Sequence, residues 1–178
     1  MKGIVFNLLE AIVVQQHGDA VWEALLDEAD VDGAYTSLGS YPDEQLLRLV
    51  TAAARKLGSS EAEVLRSFGR NAMAILATRY PEFFDSQPST QSFLLTLNDI
   101  IHPEVRKIYP GAEVPVFDFD TSTPGVLMMG YRSPRKLCAL AHGFVEGAGQ
   151  HYGEPLTFEH LQCMHRGDDR CVFRIAFS

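Results

Sequence analysis

Residues 110–133, PGAEVPVFDFDTSTPGVLMMGYRS, contain the change of pattern that decides the fold class. The Pro-Gly pair that opens the stretch ends a helical pattern, and apolar and acidic residues then alternate from Val116 to Asp120. A period of two is typical of a half-buried strand. The turn residues Ser122 to Gly125 follow, and a second strand is predicted from Val126 to Ser133.

The segments on either side of this stretch complete the fold prediction. Before it, apolar residues recur at helical spacing, and helices are expected over residues 3–15, 19–26, 41–57, 60–79 and 89–109. Pro103 is expected to kink or break the last of these helices. After the stretch, a helix over 136–151 and a hairpin with arms 156–163 and 171–177 are expected. The sequence therefore predicts an α+β fold, in which an N-terminal helical part is followed by an antiparallel sheet with a helix packed on it.

Length and charge argue against several classes of protein. The chain has 178 residues, which fits a single domain, and its formal net charge is −8. An acidic surface repels nucleic acid and anionic membranes. No apolar run approaches the roughly 20 residues that span a bilayer, and no signal-peptide pattern opens the chain. We therefore expect a cytoplasmic protein that binds neither nucleic acid nor membranes.

One group of polar residues is suited to binding carboxylates. If the strand continues in extended form, Tyr131, Ser133 and Arg135 point to the same side and present a phenol, a hydroxyl and a guanidinium. Arginine offers a planar fork of donors that matches carboxylates, so the row fits a ligand with two such groups. An ordinary exposed strand edge is the alternative.

A histidine beside the predicted helix break is a candidate metal ligand. His102 follows the apolar pair Ile100-Ile101 and precedes Pro103. A neutral imidazole in an apolar pocket can bind iron through one nitrogen. A core histidine whose ring donates to a backbone carbonyl is the alternative.

These pieces together resemble the H-NOX family, the haem nitric oxide/oxygen-binding domains. The matching segments are MKGIV at residues 1–5, IHPEVRK at 101–107 and the Tyr-x-Ser-x-Arg motif at 131–135. Their order and spacing cover nearly the whole chain. The resemblance implies one haem-binding domain over 1–178, with haem buried between a helical distal lobe, 1–60, and a proximal lobe with the sheet, 61–178.

The resemblance also implies residue roles for a haem b cofactor. His102 would be the proximal iron ligand, and Tyr131, Ser133 and Arg135 would bind the haem propionates. Pro115 matches a family proline that presses on the haem.

One position bears on which gas is bound. Oxygen-binding relatives carry a tyrosine that donates to bound dioxygen, and Leu140 occupies that position here. With Val5 and Leu9 on the first helix, Leu140 would form an apolar distal wall that binds nitric oxide and carbon monoxide but discriminates against oxygen. A donor from elsewhere, such as Tyr80 or Tyr152, is the alternative.

A second metal site is expected near the C-terminus. Cys138, His160, Cys163 and Cys171 offer three thiolates and one imidazole, a set typical of structural zinc, and some bacterial H-NOX proteins carry such a site. The alternatives are that the cysteines are buried apolar residues, or that thiols and zinc form a redox sensor. His142 and His165 are competing ligands.

The expected function is that of a gas sensor with no chemistry of its own. Nitric oxide would cause release of His102 from the iron, and a separate histidine kinase or cyclic-di-GMP enzyme would respond. Two alternatives stay open at this point. Residues 143–171 also resemble the zinc-bearing 4-vinyl reductase type of small-molecule-binding module. A haem peroxidase is disfavoured, because we find no distal histidine and arginine pair.

Overall fold

The computed structural model describes residues 1–177, which form eight α-helices and one antiparallel sheet. The helices are α1 (Gly3–His17), α2 (Asp19–Ala29), α3 (Asp43–Leu57), α4 (Glu61–Arg79), α5 (Pro81–Asp85), α6 (Thr90–Leu95), α7 (His102–Ile108) and α8 (Cys138–Tyr152). Ser60 and Glu63 form a reciprocal capping box at the start of α4. None of these helices is long and apolar enough to cross a membrane.

The sheet contains β1 (Val116–Asp120), β2 (Val126–Arg132), β3 (Leu156–Gln162) and β4 (Cys171–Phe177) in the order β1-β2-β4-β3. All three pairings are antiparallel, so the predicted α+β class is confirmed. β1 lies at one edge of the sheet, with only β2 as a neighbouring strand. α8 connects β2 to β3.

The helix predicted over residues 89–109 is divided into three parts. α6 ends at Leu95, a π-helical turn spans Leu97–Ile101, and α7 begins at His102. The physical reason is Pro103, which has no N–H for the carbonyl four residues earlier and whose ring would collide with that carbonyl. The wider turn removes the collision: the His102 N–H bonds the carbonyl of Leu97, five residues before it.

Two hydrophobic clusters fill the interior, and α4 contributes to both. The first cluster joins α1, α2 and α3 to the first half of α4, including Phe68, and the second joins the sheet, α6 and α8 to the second half, beginning at Met73. α4 and α8 cross without intervening side chains at two glycines. A Cβ built on Gly143 would lie 2.0 Å from the carbonyl oxygen of Arg66, and one on Gly69 would lie 2.4 Å from that of Leu140.

Candidate functional site

A cavity of about 540 Å³ lies where the two clusters meet, within the roughly 300–1,000 Å³ range of ligand pockets. Its walls are mainly apolar and come from α1, α4, the turn before α7, and α8. Representative wall residues are Ile4, Leu8, Leu76, Leu97, Ile101 and Phe144.

The structure brings the predicted iron ligand and the predicted carboxylate-binding row to this one cavity. His102, Tyr131, Ser133 and Arg135 all line it. The strand ends at Arg132, so Ser133 and Arg135 reach the cavity from the turn after β2 rather than from an extended strand. Tyr131 and Ser133 are buried, and Arg135 is half-buried.

His102 has no hydrogen-bond partner for its buried Nδ1 atom among the described residues. The structure therefore gives no support to the alternative of a histidine that donates to a carbonyl. Burial, and then the charge of Arg106, lower the pKa of His102 to about 4. The imidazole is consequently neutral at physiological pH, which is the form that binds a metal.

Arg135 forms an ion-pair network that sequence reasoning missed. Its Nε donates to Oδ2 of Asp43 at 2.7 Å, and its Nη2 donates to Oε2 of Glu113 at 2.8 Å. The N-terminal ammonium of Met1 donates to the other oxygen of Asp43 at 2.5 Å. Burial raises the pKa of Asp43, but the hydrogen bonds from the ammonium and from Arg135 outweigh it and leave this pKa below its ordinary value.

Two of the three residues predicted to form the distal wall lie on the surface of the cavity. Val5 and Leu140 line the cavity, as does Pro115. Leu9 does not line the cavity but is buried in the first hydrophobic cluster, and Leu8 lines the cavity instead. Successive helical residues differ by about 100° in direction, so Leu8 and Leu9 point to different surfaces of α1.

The two tyrosines considered as alternative gas donors have other partners. Tyr152 donates to the carbonyl of Phe84 at 2.9 Å and is absent from the cavity lining. Tyr80 does line the cavity, but its hydroxyl lies 2.6 Å from that of Tyr109. Burial, followed by the interaction with Tyr80, raises the pKa of Tyr109 to about 12.

The four predicted zinc ligands also come together. One ligand atom from each of Cys138, His160, Cys163 and Cys171 lies within 4.8 Å of all the others. The three thiols are buried and form no disulfide, and Nε2 of His160 is buried without a hydrogen-bond partner. Burial, and then the neighbouring thiols, raise the pKa of Cys138 to about 12.

The two competing histidines have other roles. Nε2 of His165 lies 2.7 Å from the carbonyl oxygen of Lys136. His142 stacks on Phe158 with ring centroids 3.6 Å apart.

The residues of the cavity fit a haem. Its apolar walls suit a flat macrocycle, and the unpartnered imidazole of His102 offers an axial ligand. Tyr131, Ser133 and Arg135 offer donors to two carboxylates. β2, the turn that follows it and α7 thus bring together groups that could hold a ferrous porphyrin.

Comparison with known proteins agrees with this geometry. A family model described as haem-NO-binding matches residues 2–160. An H-NOX protein from S. oneidensis in the Fe(II)NO ligation state is 34% identical, with a TM-score of 0.94, and the match covers 100% of this chain and 99% of that chain. The NMR structure of an H-NOX domain from Shewanella oneidensis in the Fe(II)CO state is 34% identical, with a TM-score of 0.91 and the same coverage of 100% and 99%. An Fe(II) unliganded H-NOX protein from K. algicida, 24% identical with a TM-score of 0.86 over 100% of this chain and 97% of that one, shares the fold.

Proposed function

Because this chain belongs to the haem-NO-binding family, the H-NOX gas-sensor domains, we propose that it senses nitric oxide through a ferrous haem b and discriminates against oxygen. The observation that carries the proposal is the unpartnered imidazole of His102 on the wall of an apolar cavity. The 4-vinyl-reductase-like alternative is not favoured, since the family match runs over residues 2–160 and includes His102.

We assign the residues around the cavity as follows. His102 is the proximal ligand, and its low pKa keeps the coordinating nitrogen unprotonated. Tyr131, Ser133 and Arg135 would donate to the propionates, and Pro115, which lines the same cavity, would lie against the macrocycle. When bound, the ferrous haem supplies the metal to which a diatomic gas binds. In this arrangement Arg135 also joins the propionate site to Asp43 at the start of α3.

We attribute the selectivity for nitric oxide to Leu140. An apolar side chain at this position of the wall gives bound dioxygen no hydrogen bond, whereas nitric oxide needs none. Tyr80 was the alternative donor to the gas and does line the cavity, but its hydroxyl is hydrogen-bonded to that of Tyr109.

An absorption spectrum tests the haem and the selectivity together. We expect the Soret band of the reduced protein to shift with nitric oxide and with carbon monoxide, and to show no rapid change in air. Leu140→Tyr is expected to give a lasting new band in air, because its hydroxyl supplies the missing donor. Leu140→Phe adds similar bulk without a hydroxyl and is the matched control.

Three results would count against these assignments. A lasting band of the wild-type protein in air would show that another donor reaches the gas, and Tyr80→Phe would be examined next. Equal behaviour of the Tyr and Phe variants would remove the role of Leu140. Absence of any Soret band after reconstitution with haemin would remove the haem itself.

We further propose that the chain signals rather than catalyses. His102 would be released when nitric oxide binds to the haem, and the lobe of residues 61–178 would then shift against the lobe of residues 1–60. A ligand can move such an equilibrium only by its differential affinity for the two states. A histidine kinase or a cyclic-di-GMP enzyme is the partner we propose. Its activity should follow the fraction of this protein that has nitric oxide bound, as measured by the absorption spectrum in the presence of the partner. A partner whose activity ignores that fraction would be the wrong one.

A structural zinc ion is the second part of the proposal, and the convergence of three thiols and the unpartnered Nε2 of His160 supports it. We expect about one zinc per chain by metal analysis, since three cysteines and one histidine form a closed tetrahedral set. Because the pKa of Cys138 is raised, zinc binding should release protons. A redox sensor, in which oxidation of the thiols expels the metal, is the finer alternative.

Two ligand variants and one control test the zinc site. Cys138→Ala and His160→Ala are each expected to lower zinc content by at least about tenfold at limiting metal. His165→Ala removes a nearby imidazole that bonds Lys136 and is expected to leave the zinc content unchanged. Full zinc content in both ligand variants would rule out this ligand set.

A further inference from the structure

Asn98 binds both backbone groups of one residue at the open edge of the sheet. Its Nδ2 donates to the carbonyl oxygen of Phe117 at 2.7 Å, and its Oδ1 accepts from the N–H of Phe117 at 3.3 Å. β1 is an edge strand, so alternate residues have an N–H and a C=O without a strand partner. A carboxamide carries one acceptor and a donor group, and here it replaces the missing strand for one residue.

The ring of Phe117 links this edge to both halves of the haem site. It stacks on the His102 imidazole with centroids 5.6 Å apart and an interplanar angle of 27°. Its centroid also lies 5.7 Å from that of Tyr131, the residue opposite it in the β1–β2 register. The side chain is buried. Whatever fixes the backbone of Phe117 therefore also fixes the surface against which His102 lies.

Asn98 itself lies in the π-turn that immediately precedes His102. Such turns are common at functional sites, and this one exists because Pro103 interrupts the normal hydrogen-bond ladder. Among the described residues, no other side chain of the turn hydrogen-bonds to the sheet. The two hydrogen bonds between Asn98 and Phe117 thus connect the π-turn that precedes His102 to β1.

We propose that Asn98 is a positioning residue for His102. Its carboxamide holds the π-turn against β1 in the state in which His102 is bound to iron, and the loss of this contact accompanies the release of His102. The proposal rests on the haem ligation described above. It predicts that Asn98 sets how readily His102 leaves, without touching the haem or the gas.

Two variants and a control test this role in the haem-loaded protein. Asn98→Ala removes both hydrogen bonds. Asn98→Asp keeps an acceptor for the Phe117 N–H but removes the donor to its carbonyl, and it serves as a second variant if the alanine protein is poorly folded. Asn71→Ala is the control, because Asn71 is another half-buried amide whose Nδ2 binds a backbone carbonyl, that of Ser67, away from the cavity.

The first readout is the rate at which the six-coordinate spectrum becomes five-coordinate after mixing with nitric oxide, which reports the departure of His102. Two hydrogen bonds of ordinary strength correspond to a change of about tenfold, so we expect Asn98→Ala to convert about tenfold faster than wild type. Asn98→Asp should also be faster, and Asn71→Ala should match wild type. The iron–histidine stretching band of the gas-free form should shift to lower frequency in Asn98→Ala.

The second readout is amide hydrogen exchange at Phe117, which does not depend on haem chemistry. In gas-free wild-type protein this N–H should be protected by Asn98, and nitric oxide should accelerate its exchange by about tenfold or more. In Asn98→Ala, exchange should already be fast in the gas-free state. Equal protection of Phe117 with and without nitric oxide in wild type would overturn the proposal.

A merely structural role gives a different pattern. In that case Asn98→Ala would accelerate exchange at Phe117 but leave the conversion rate and the iron–histidine band at their wild-type values, and this result would also overturn the proposal. Failure of the proposed haem ligation would give a different result. If His102 were not the iron ligand, the wild-type protein would lack an iron–histidine band, or His102→Gly would leave that band unchanged.

Discussion

His102→Gly is expected to lose haem under conditions in which the wild-type protein retains it. The substitution removes the proposed axial ligand and leaves only the proposed propionate donors and the apolar walls to hold the cofactor. Removing a residue that hydrogen-bonds to a metal ligand typically lowers metal affinity by about 10–100-fold. Loss of the ligand itself should therefore lower haem affinity by at least about 100-fold. The haem-to-protein ratio after gel filtration, and the Soret band, measure this loss.

Added imidazole provides the sharper half of the same test. The glycine leaves a space beside Phe117 that a free imidazole can fill, and we expect it to restore the gas-free ferrous spectrum. His17→Ala is the control, because His17 is exposed at the end of α1 and is absent from the cavity lining. If the glycine variant retained haem with an unchanged spectrum, another residue would be the ligand and the assignment of His102 would be wrong.

Local patterns predicted the fold well, because each predicted element depends on neighbours in sequence. The alternation from Val116 to Asp120 matched β1 residue for residue, since a half-buried edge strand exposes every second side chain. The helix predicted over residues 60–79 agrees with α4, whose capping box joins Ser60 and Glu63 within one turn. The α+β class followed from these local signals alone.

What the sequence could not predict depends on contacts between distant segments. Asp43 and Arg135 are 92 residues apart, and nothing near either residue indicates that they pair. The choice of Leu8 rather than Leu9 for the cavity wall is a matter of how α1 is rotated, which packing of the first cluster decides. The π-turn was missed because Pro103 predicts that the hydrogen-bond ladder breaks but does not predict the form that the backbone takes at the break.

The close contact between α4 and α8 could have been predicted from the spacing of glycines in the sequence of α8. Gly143 and Gly147 are four residues apart, so they lie on one face of α8, and both face the backbone of α4. The Cβ that each glycine lacks would meet a carbonyl oxygen, of Arg66 and of Arg70 respectively. Small residues at this spacing allow two helix backbones to approach closely, and this approach sets the position of Leu140 at the cavity wall.

Gly143→Ala is therefore expected to destabilise the protein by about 3 kcal/mol or more, at the upper end of the range for overpacked cores. The added Cβ would lie 2.0 Å from the carbonyl oxygen of Arg66 and 2.9 Å from the N atom of Arg70. Because both are backbone atoms of a helix, no side-chain rotation relieves the contact, and α8 must move away from α4. Thermal unfolding should show a fall in midpoint of roughly 6–12 °C for a domain of this size.

Gly149→Ala on the same helix separates this steric effect from the general effect of adding a methyl group. Its Cβ would meet the Leu156 side chain at 2.6 Å, which can rotate, and the carbonyl oxygen of Glu154 only at 3.1 Å. Alanine is also the better helix former by about 1 kcal/mol, so we expect a change in midpoint of a few degrees at most. Since α8 carries Leu140 and Phe144 into the cavity, its displacement in Gly143→Ala should also shift the Soret band, whereas Gly149→Ala should not. Equal midpoints for the two variants would mean that α4 and α8 separate at little cost, and the close crossing would then have no part in fixing the cavity wall.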